Sequence, residues 1–248
     1  MPGPMRLPYF PLHVVLFPHL PLPLHIFEER YRAMARDLLA DGSPYSGRFV
    51  VSMLTEGHEV TEGLPAGAPA ARTRRIGTIA EVRSAEQFDD GRWVLLTVGL
   101  SRAVLGEVDE SGPYATVEAT VLPEIAGIGA ERLLPEIQGA LDLYLSSVKR
   151  FVAATASVVD TPHETTDVAA SLDAVLKPIQ LPADPLAASY AVGGLLQVEL
   201  TRKQQLLEMP DAATRLHAEL DLLQRESRLL AKGALPPIAA GDLHYNPN

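Results

Sequence analysis

The side chains best suited to recognition chemistry near the start of the chain are Glu28, Arg30 and Tyr31, flanked by Phe17 and Phe27. An arginine fork and a tyrosine hydroxyl at the rim of an apolar groove can bind peptide carbonyls or carboxylates. Phe17 and Phe27 would then supply groove walls. A simpler alternative competes: Glu28 starts a helix, Tyr31 packs in the core, and Arg30 makes a surface ion pair of small energetic weight. Arg102, in the break Gly99-Leu-Ser-Arg102, is the remaining candidate, either a turn residue or a rim contact.

Catalytic and metal chemistry finds little footing. The chain has no cysteine, hence no disulfide, thiolate ligand or cysteine nucleophile. No glycine precedes a lysine, so no G-x-x-x-x-G-K-[ST] loop is present to cradle nucleotide phosphates, and no G-x-S-x-G elbow occurs. His163-Glu164-Thr-Thr-Asp167 falls short of H-E-x-x-H because its last member is aspartate. After Pro162 its acids more simply favour a helix start. His13, His19 and His25 recur every six residues, a period of neither strand nor helix, and satisfied or exposed histidines are the simpler reading. We expect no metal, no cofactor and no catalytic residue.

The elements that must position these groups begin with a proline-dense run. Pro8, Pro11, Pro18, Pro21 and Pro23 each lack a backbone donor, which confines them to edges and turns. Extended pieces fit at 9–16 and 22–27. From Glu28, apolar Tyr31, Met34, Ala35 and Leu38 recur at helical spacing until Asp41-Gly42. Residues 48–54 are apolar on both faces and read as a buried strand. Residues 56–71, rich in Gly, Pro and Ala, read as an exposed loop. Residues 76–88 and 92–98 form a hairpin about Asp89-Asp90-Gly91, followed by strands at 103–108 and 114–122. Six strands with short connections and one helix are most economically an antiparallel barrel or curled sheet.

Beyond Gly127-Ile-Gly129, which reads as a linker, the pattern turns helical. Leu133, Ile137, Leu141, Leu145, Val148 and Val152 mark one helix, Val168 to Leu176 a second, and Pro185 to Val192 a third segment. A helix at 195–209 precedes one capped by Asp211, with a stripe of Leu216, Leu220, Leu223 and Leu230. That stripe suits packing between helices of the chain, and it also suits a second copy, a homo-oligomer. The organisation expected is a domain at 7–124, helices at 130–232 and a disordered tail at 233–248.

Charge narrows the partners. Residues 1–124 hold 16 acids against 11 Lys plus Arg, and the remainder 15 against 10. The negative charge is spread, with no basic face, which argues against nucleic acid as partner. Arg72, Arg74 and Arg75 form the one local cluster and read as a solvated loop. No apolar run approaches the roughly 18 residues of a membrane helix, and Arg6 leads into a proline-broken run, unlike a secretion signal. A cytoplasmic protein is the expectation.

Two motifs carry a resemblance. Phe10-Pro-Leu-His-Val-Val-Leu-Phe-Pro18 and Pro23-Leu-His-Ile-Phe-Glu-Glu-Arg-Tyr31 resemble the opening of the N-terminal, substrate-binding domain of Lon proteases. Ala183-Asp-Pro-Leu-Ala-Ala, Lys203-Gln-Gln-Leu-Leu-Glu208 and Arg215-Leu resemble its helical part, so the likeness covers roughly residues 7–230. The resemblance implies an α+β chain: a PUA-like antiparallel β-barrel with one packed helix, followed by an α-helical bundle. It implies a non-enzymatic module that binds exposed apolar segments of unfolded or misfolded proteins, feeding a separate ATP-dependent protease. The four lysines, at 149, 177, 203 and 232, lie in no segment like the family's Ser-Lys protease domain, and the expectation is that neither ATPase nor peptidase activity accompanies the resemblance. PUA-like barrels also occur in RNA-binding proteins, so an RNA-binding module is the alternative from another class.

Overall fold

The computed structural model describes residues 3–56, 72–156 and 179–233. Of the loop expected at 56–71, Glu56 instead ends a strand; residues 57–71, the helix around Val168 to Leu176, the His163-Glu164-Asp167 near miss and the tail beyond residue 233 lie outside them. Among the described residues two compact units are present: 3–56 and 72–124 with 199–208, and 125–156 and 179–198 with 209–233.

The first unit is α+β. Its strands are β1 (Met5–Leu12), β2 (Pro21–Ile26), β3 (Arg48–Glu56), β4 (Arg72–Thr73), β5 (Ile76–Gln87), β6 (Trp93–Asp109) and β7 (Thr116–Val121). They form one mainly antiparallel sheet ordered β1-β7-β6-β5-β3-β4, with β2 on β6 and a parallel pairing of β1 with β3. β1 and β3 are apolar on both sides because both sides are covered. Phe10, Leu12, Phe49 and Val51 enter one cluster, and Leu7, Tyr9 and Val50 enter another. Helix α1 (Glu29–Leu39) lays Tyr31, Met34, Ala35 and Leu38 on the first cluster. Tyr114 donates from its hydroxyl to Asp37 Oδ2 at 2.7 Å, tying the end of this helix to the segment before β7.

The hairpin expected about Asp89-Asp90-Gly91 is present, and Gly91 takes φ +83°, which L side chains resist. The expected break at Gly99–Arg102 is instead a bulge in one continuous 17-residue strand, β6. Ile79 faces Ser101 and Ala80 faces Gly99, so Leu100 is the extra residue. The reason is close approach: a Cβ on Gly99 would sit 2.5 Å from the carbonyl oxygen of Phe17. There the backbone is stitched by His19 N–H to Gly99 O (2.8 Å) and Gly99 N–H to Leu20 O (3.0 Å).

The helix expected at 195–209 is also corrected. Leu196 is extended (ψ 126°), and helix begins only at Leu200. The Tyr144 hydroxyl accepts from the Gln197 backbone N–H at 3.1 Å, which holds that break open. The second unit contains α2 (Ala130–Ala156) and α3 (Pro185–Leu195). Helix α4 (Leu200–Glu208) belongs to the first unit. The last helix, α5 (Ala212–Ala231), returns to the second. There α5 packs on α2 and α3, and α2 on α3. Leu216, Leu223 and Leu230 are buried, so the stripe serves packing inside this unit.

The residues just before Gly127-Ile-Gly129, expected as a linker, are tied down, while Ile128 itself is fully exposed. Ala212 and Ala213, the first residues of α5, donate to the carbonyls of Ile125 (2.9 Å) and Ala126 (2.8 Å), and the Asp211 carboxylate accepts from Thr214 N–H (2.7 Å). Three N-terminal donors of the helix are thereby satisfied. Among the described residues no helix is long and apolar enough to cross a membrane.

Candidate functional site

The motif Phe27 to Tyr31 sits where strand gives way to helix. Glu28 is the N-terminal boundary residue of α1, and its carbonyl accepts from Tyr31 N–H (3.0 Å) and Arg32 N–H (2.8 Å). Its carboxylate is buried, 3.2 Å from Arg30 Nε. The Arg30 guanidinium lies 4.3 Å over the Tyr31 ring, and that ring stacks obliquely on Phe10 with centroids 4.1 Å apart. Phe10 in turn meets Phe49 at 6.3 Å. A line of contacts thus runs from the helix start into the sheet core, with both an ion pair and a cation–π contact at its outer end.

Of the six residues singled out from sequence, Phe17, Glu28, Tyr31 and Arg102 are interior, while Phe27 and Arg30 are half-buried. The structure gathers Glu28, Arg30 and Tyr31 together; it places Arg102 elsewhere. Arg102 is neither a turn residue nor a rim contact. It lies inside β6, 2% exposed. Its Nη1 donates to Leu207 O at 3.0 Å, and its Nε and Nη2 reach the Glu124 carboxylate at 3.3 and 3.5 Å.

One exposed apolar strip of this unit lies on the outer side of β2 and β6, while Leu39, Phe88 and Val108 are exposed outside it. Register fixes which residues share it. Pro21 faces Val98, Pro23 faces Leu96 and His25 faces Val94 across the β2–β6 pair. On the other flank Val98, Leu96 and Val94 face Glu81, Ser84 and Glu86 of β5. Directly opposed residues share a side of a sheet. Leu24 and Leu95, one step along, point inward and are fully buried, whereas Leu96 is 43% exposed. Pro21 and Pro23 are exposed, and Val94 and Val98 half-buried. The result is a band of five apolar residues, two of them rigid prolines. Glu81 beside it is bound by Arg48 (3.2 Å) and Arg83 (2.6 Å).

The edge of β2 is a poor template for another strand. Among the described strands β2 pairs only with β6. Leu20 O accepts from Gly99 N–H, so by ladder alternation Pro21 and Pro23 turn their donor-less nitrogens to the free edge. Prolines placed so discourage strand addition. The band was not legible as a site beforehand. Its signal was the apolar character of both faces of residues 92–98 together with prolines at alternate positions.

Electrostatics favour no polyanion. The exposed arginines Arg6, Arg36, Arg72 and Arg92 pair with Asp109, Glu29, Glu56 and Asp90 at 2.7, 2.8, 3.2 and 2.7 Å. Nothing in this arrangement supports the RNA-binding alternative. Among the described residues no group of three or more His, Asp or Glu could hold a metal ion. The Tyr114 hydroxyl is held well above the usual phenol range, by burial first and then by its bond to Asp37, so it acts as a donor.

Comparison with known proteins bears on this geometry. Residues 6–225 match the family model of the ATP-dependent protease La (LON) substrate-binding domain. Lon protease 2 of Syntrophobacter fumaroxidans is 25% identical over 215 residues, 86% of this chain and 23% of that protein. Lon protease of Escherichia coli K12 is 27% identical over 236 residues, 91% of this chain and 26% of that protein. The chain therefore spans about a quarter of the length of the curated relatives it matches. Among solved structures, the N-terminal domain of Mycobacterium avium complex Lon protease superposes with TM-score 0.56 at 19% identity, covering 89% of this chain and 98% of that one. A Lon N-terminal domain protein from Xanthomonas campestris gives TM-score 0.52 at 18% identity, covering 88% and 98%.

Proposed function

The chain belongs to the LON substrate-binding domain family, and on that premise we propose that it is a non-enzymatic module that captures exposed apolar segments of unfolded client proteins and presents them to an ATP-dependent protease. Substrate recognition is the family's general role; the apolar clients, the protease partner and a cytoplasmic setting are our reading. The observation that carries it is the family match over residues 6–225, most of the chain. The band of Pro21, Pro23, Val94, Leu96 and Val98 supports a contact mode. Apolar contact tolerates many sequences, as a module sampling varied clients requires, and each contact is weak. The proline-blocked edge of β2 favours this face over strand addition.

We place the client-binding function in the first unit, residues 7–124 completed by α4. The pairing of β1 with both β7 and β3 is what a barrel needs, and supports that reading of the sheet. The buried Phe17, Glu28, Tyr31 and Arg102 then act by holding the face rather than by touching a client.

The test is capture of an unfolded model protein against its folded form at low and moderate salt, with single-stranded RNA alongside. Selective, salt-tolerant capture of the unfolded chain is expected. Capture of RNA that falls steeply with salt, with none of unfolded protein, overturns the proposal.

A further inference from the structure

Helix α5 buries charge among its leucines. Arg215, Glu219, Glu226 and Ser227 lie in the interior with Leu216, Leu223 and Leu230. Arg215 is held by α3 and by the segment before α5. Its Nη1 donates to Ser189 Oγ at 2.7 Å, its Nη2 to Met209 O at 3.3 Å, and its guanidinium lies 4.3 Å over the Tyr190 ring. Glu219, one turn further along, is 0% exposed, and neither of its carboxyl oxygens has a hydrogen-bond partner. Residues four apart are neighbours on a helix, yet the Arg215 fork is directed to Ser189 and Met209. A carboxylate so enclosed, without donors, is strongly disfavoured relative to its neutral form.

We propose that the second unit folds with a proton bound at Glu219, and that loss of this proton loosens α5 from α2 and α3, making the carboxyl a pH-sensitive latch. Burial raises the pKa of this group well above the ordinary glutamate value, and the Arg215 charge opposes it only in part. The other groups around it are identifiable among the described residues. Helix α2 contributes the buried Tyr144 and the half-buried Lys149, while its Glu131, Arg132, Glu136, Asp142 and Arg150 are exposed. Helix α3 contributes Tyr190 and no charged residue. On α5 itself stand Arg215 and Glu226, the latter 3.8 Å from Arg225. Burial also raises Tyr144 above the usual phenol range, so it stays neutral where Glu219 titrates.

The sign follows from linkage. The unfolded chain releases this proton near the ordinary value of about 4.3, while the folded unit keeps it to higher pH. Between those two values the folded state binds one proton more, so stability is greatest below the lower value. It is lost as pH rises toward the upper one.

Hydrogen exchange of α5 in the full chain, corrected for intrinsic rates, measures the opening equilibrium from pH 5 to 9. For the wild type that constant should rise by up to about tenfold per pH unit within the titration window, and Glu219→Gln should flatten the rise. Glu226→Gln should keep it. A wild-type constant that does not change with pH, or an unaltered slope in Glu219→Gln, overturns the latch. Infrared difference spectra at neutral pH give a second readout in the wild type, with Glu219→Met replacing the glutamine variant should that fail to fold. A protonated-carboxyl band present in the wild type and missing in the variant supports the proposal; its absence from the wild type refutes it.

Discussion

Arg102 donates to the backbone carbonyl of Leu207, 105 residues further along the chain and 3.0 Å away. A second bond reinforces it: Gln204 Nε2 donates to Ile76 O at 2.9 Å. By these two bonds a nine-residue helix joins a unit whose other described residues come from the first half of the chain. So short a helix is marginal alone; what holds it is tertiary contact.

Arg102→Met should therefore detach α4 from its anchor. The substitution strips the Leu207 carbonyl of a buried donor and leaves Glu124, 29% exposed, without its guanidinium. Removing one partner of such a pair costs about 3 kcal/mol. Chemical denaturation followed by the single tryptophan, Trp93 in this unit, should show that loss. Arg102→Lys should recover only part of it, since an ammonium cannot bridge a carbonyl and a carboxylate as the fork does. A loss below about 1 kcal/mol for the methionine variant would mean that α4 is held by packing alone.

Leu95 and Leu96 are chain neighbours on opposite sides of β6, the first 0% and the second 43% exposed. Leu95→Ala should cost about 3 kcal/mol through the cavity it leaves, with binding per folded molecule unchanged. Leu96→Asp should move stability by no more than about 0.5 kcal/mol yet weaken capture of an unfolded client about tenfold, equivalent to 1.4 kcal/mol. Paired denaturation and binding titrations separate the two effects. Unchanged capture by Leu96→Asp would remove the β2–β6 face from the proposed function.

Legibility in the sequence followed locality. The hairpin about Gly91, the buried character of residues 48–54 and the helix bearing Tyr31, Met34 and Leu38 are set by neighbours within a few positions, and all three are found. Of the simpler reading of Glu28, Arg30 and Tyr31, the helix start and the core position are found, whereas Arg30 pairs with a buried carboxylate rather than at the surface. Arg102 was misplaced because its partner Leu207 is remote in sequence and because Gly99 looked like a terminator. The Leu96 face was missed because alternation reveals two sides of a strand without saying which one a second layer covers. The Leu195–Met209 break rests on a tyrosine 53 residues away from Gln197, which no local pattern contains.

Gly99 has a packing role that can be tested directly. A methyl group there would meet the Phe17 carbonyl oxygen at 2.5 Å and a Thr78 methyl at 3.1 Å. Both are held, the first in the turn that Gly99 itself bonds, the second beside the Thr78 hydroxyl, which donates to Leu16 O at 2.5 Å. Gly99→Ala should destabilise the first unit by about 2 kcal/mol through overpacking. Gly139→Ala meets nothing within 4 Å and sits inside α2, so it should stabilise by about 0.5–1 kcal/mol. Thermal melts of the two variants should move in opposite directions, and a matching shift would contradict the close approach at Phe17.

Asp211 supplies the acid side of the pH profile. The Thr214 backbone N–H is the main cause that lowers its carboxyl below the ordinary aspartate value. The unfolded chain therefore takes up this proton first as pH falls. The cap's contribution is fully present above the unfolded value near 3.9 and is lost as pH drops through the folded one. Asp211→Ala should cost about 1 kcal/mol at neutral pH, the usual worth of a helix cap, and the difference from wild type should close at the acid end of the titration. Asp211→Asn keeps the acceptor without the charge, so it should retain most of the neutral-pH stability while losing the acid dependence. An asparagine variant with an undiminished acid slope would show that the transition belongs to other carboxylates.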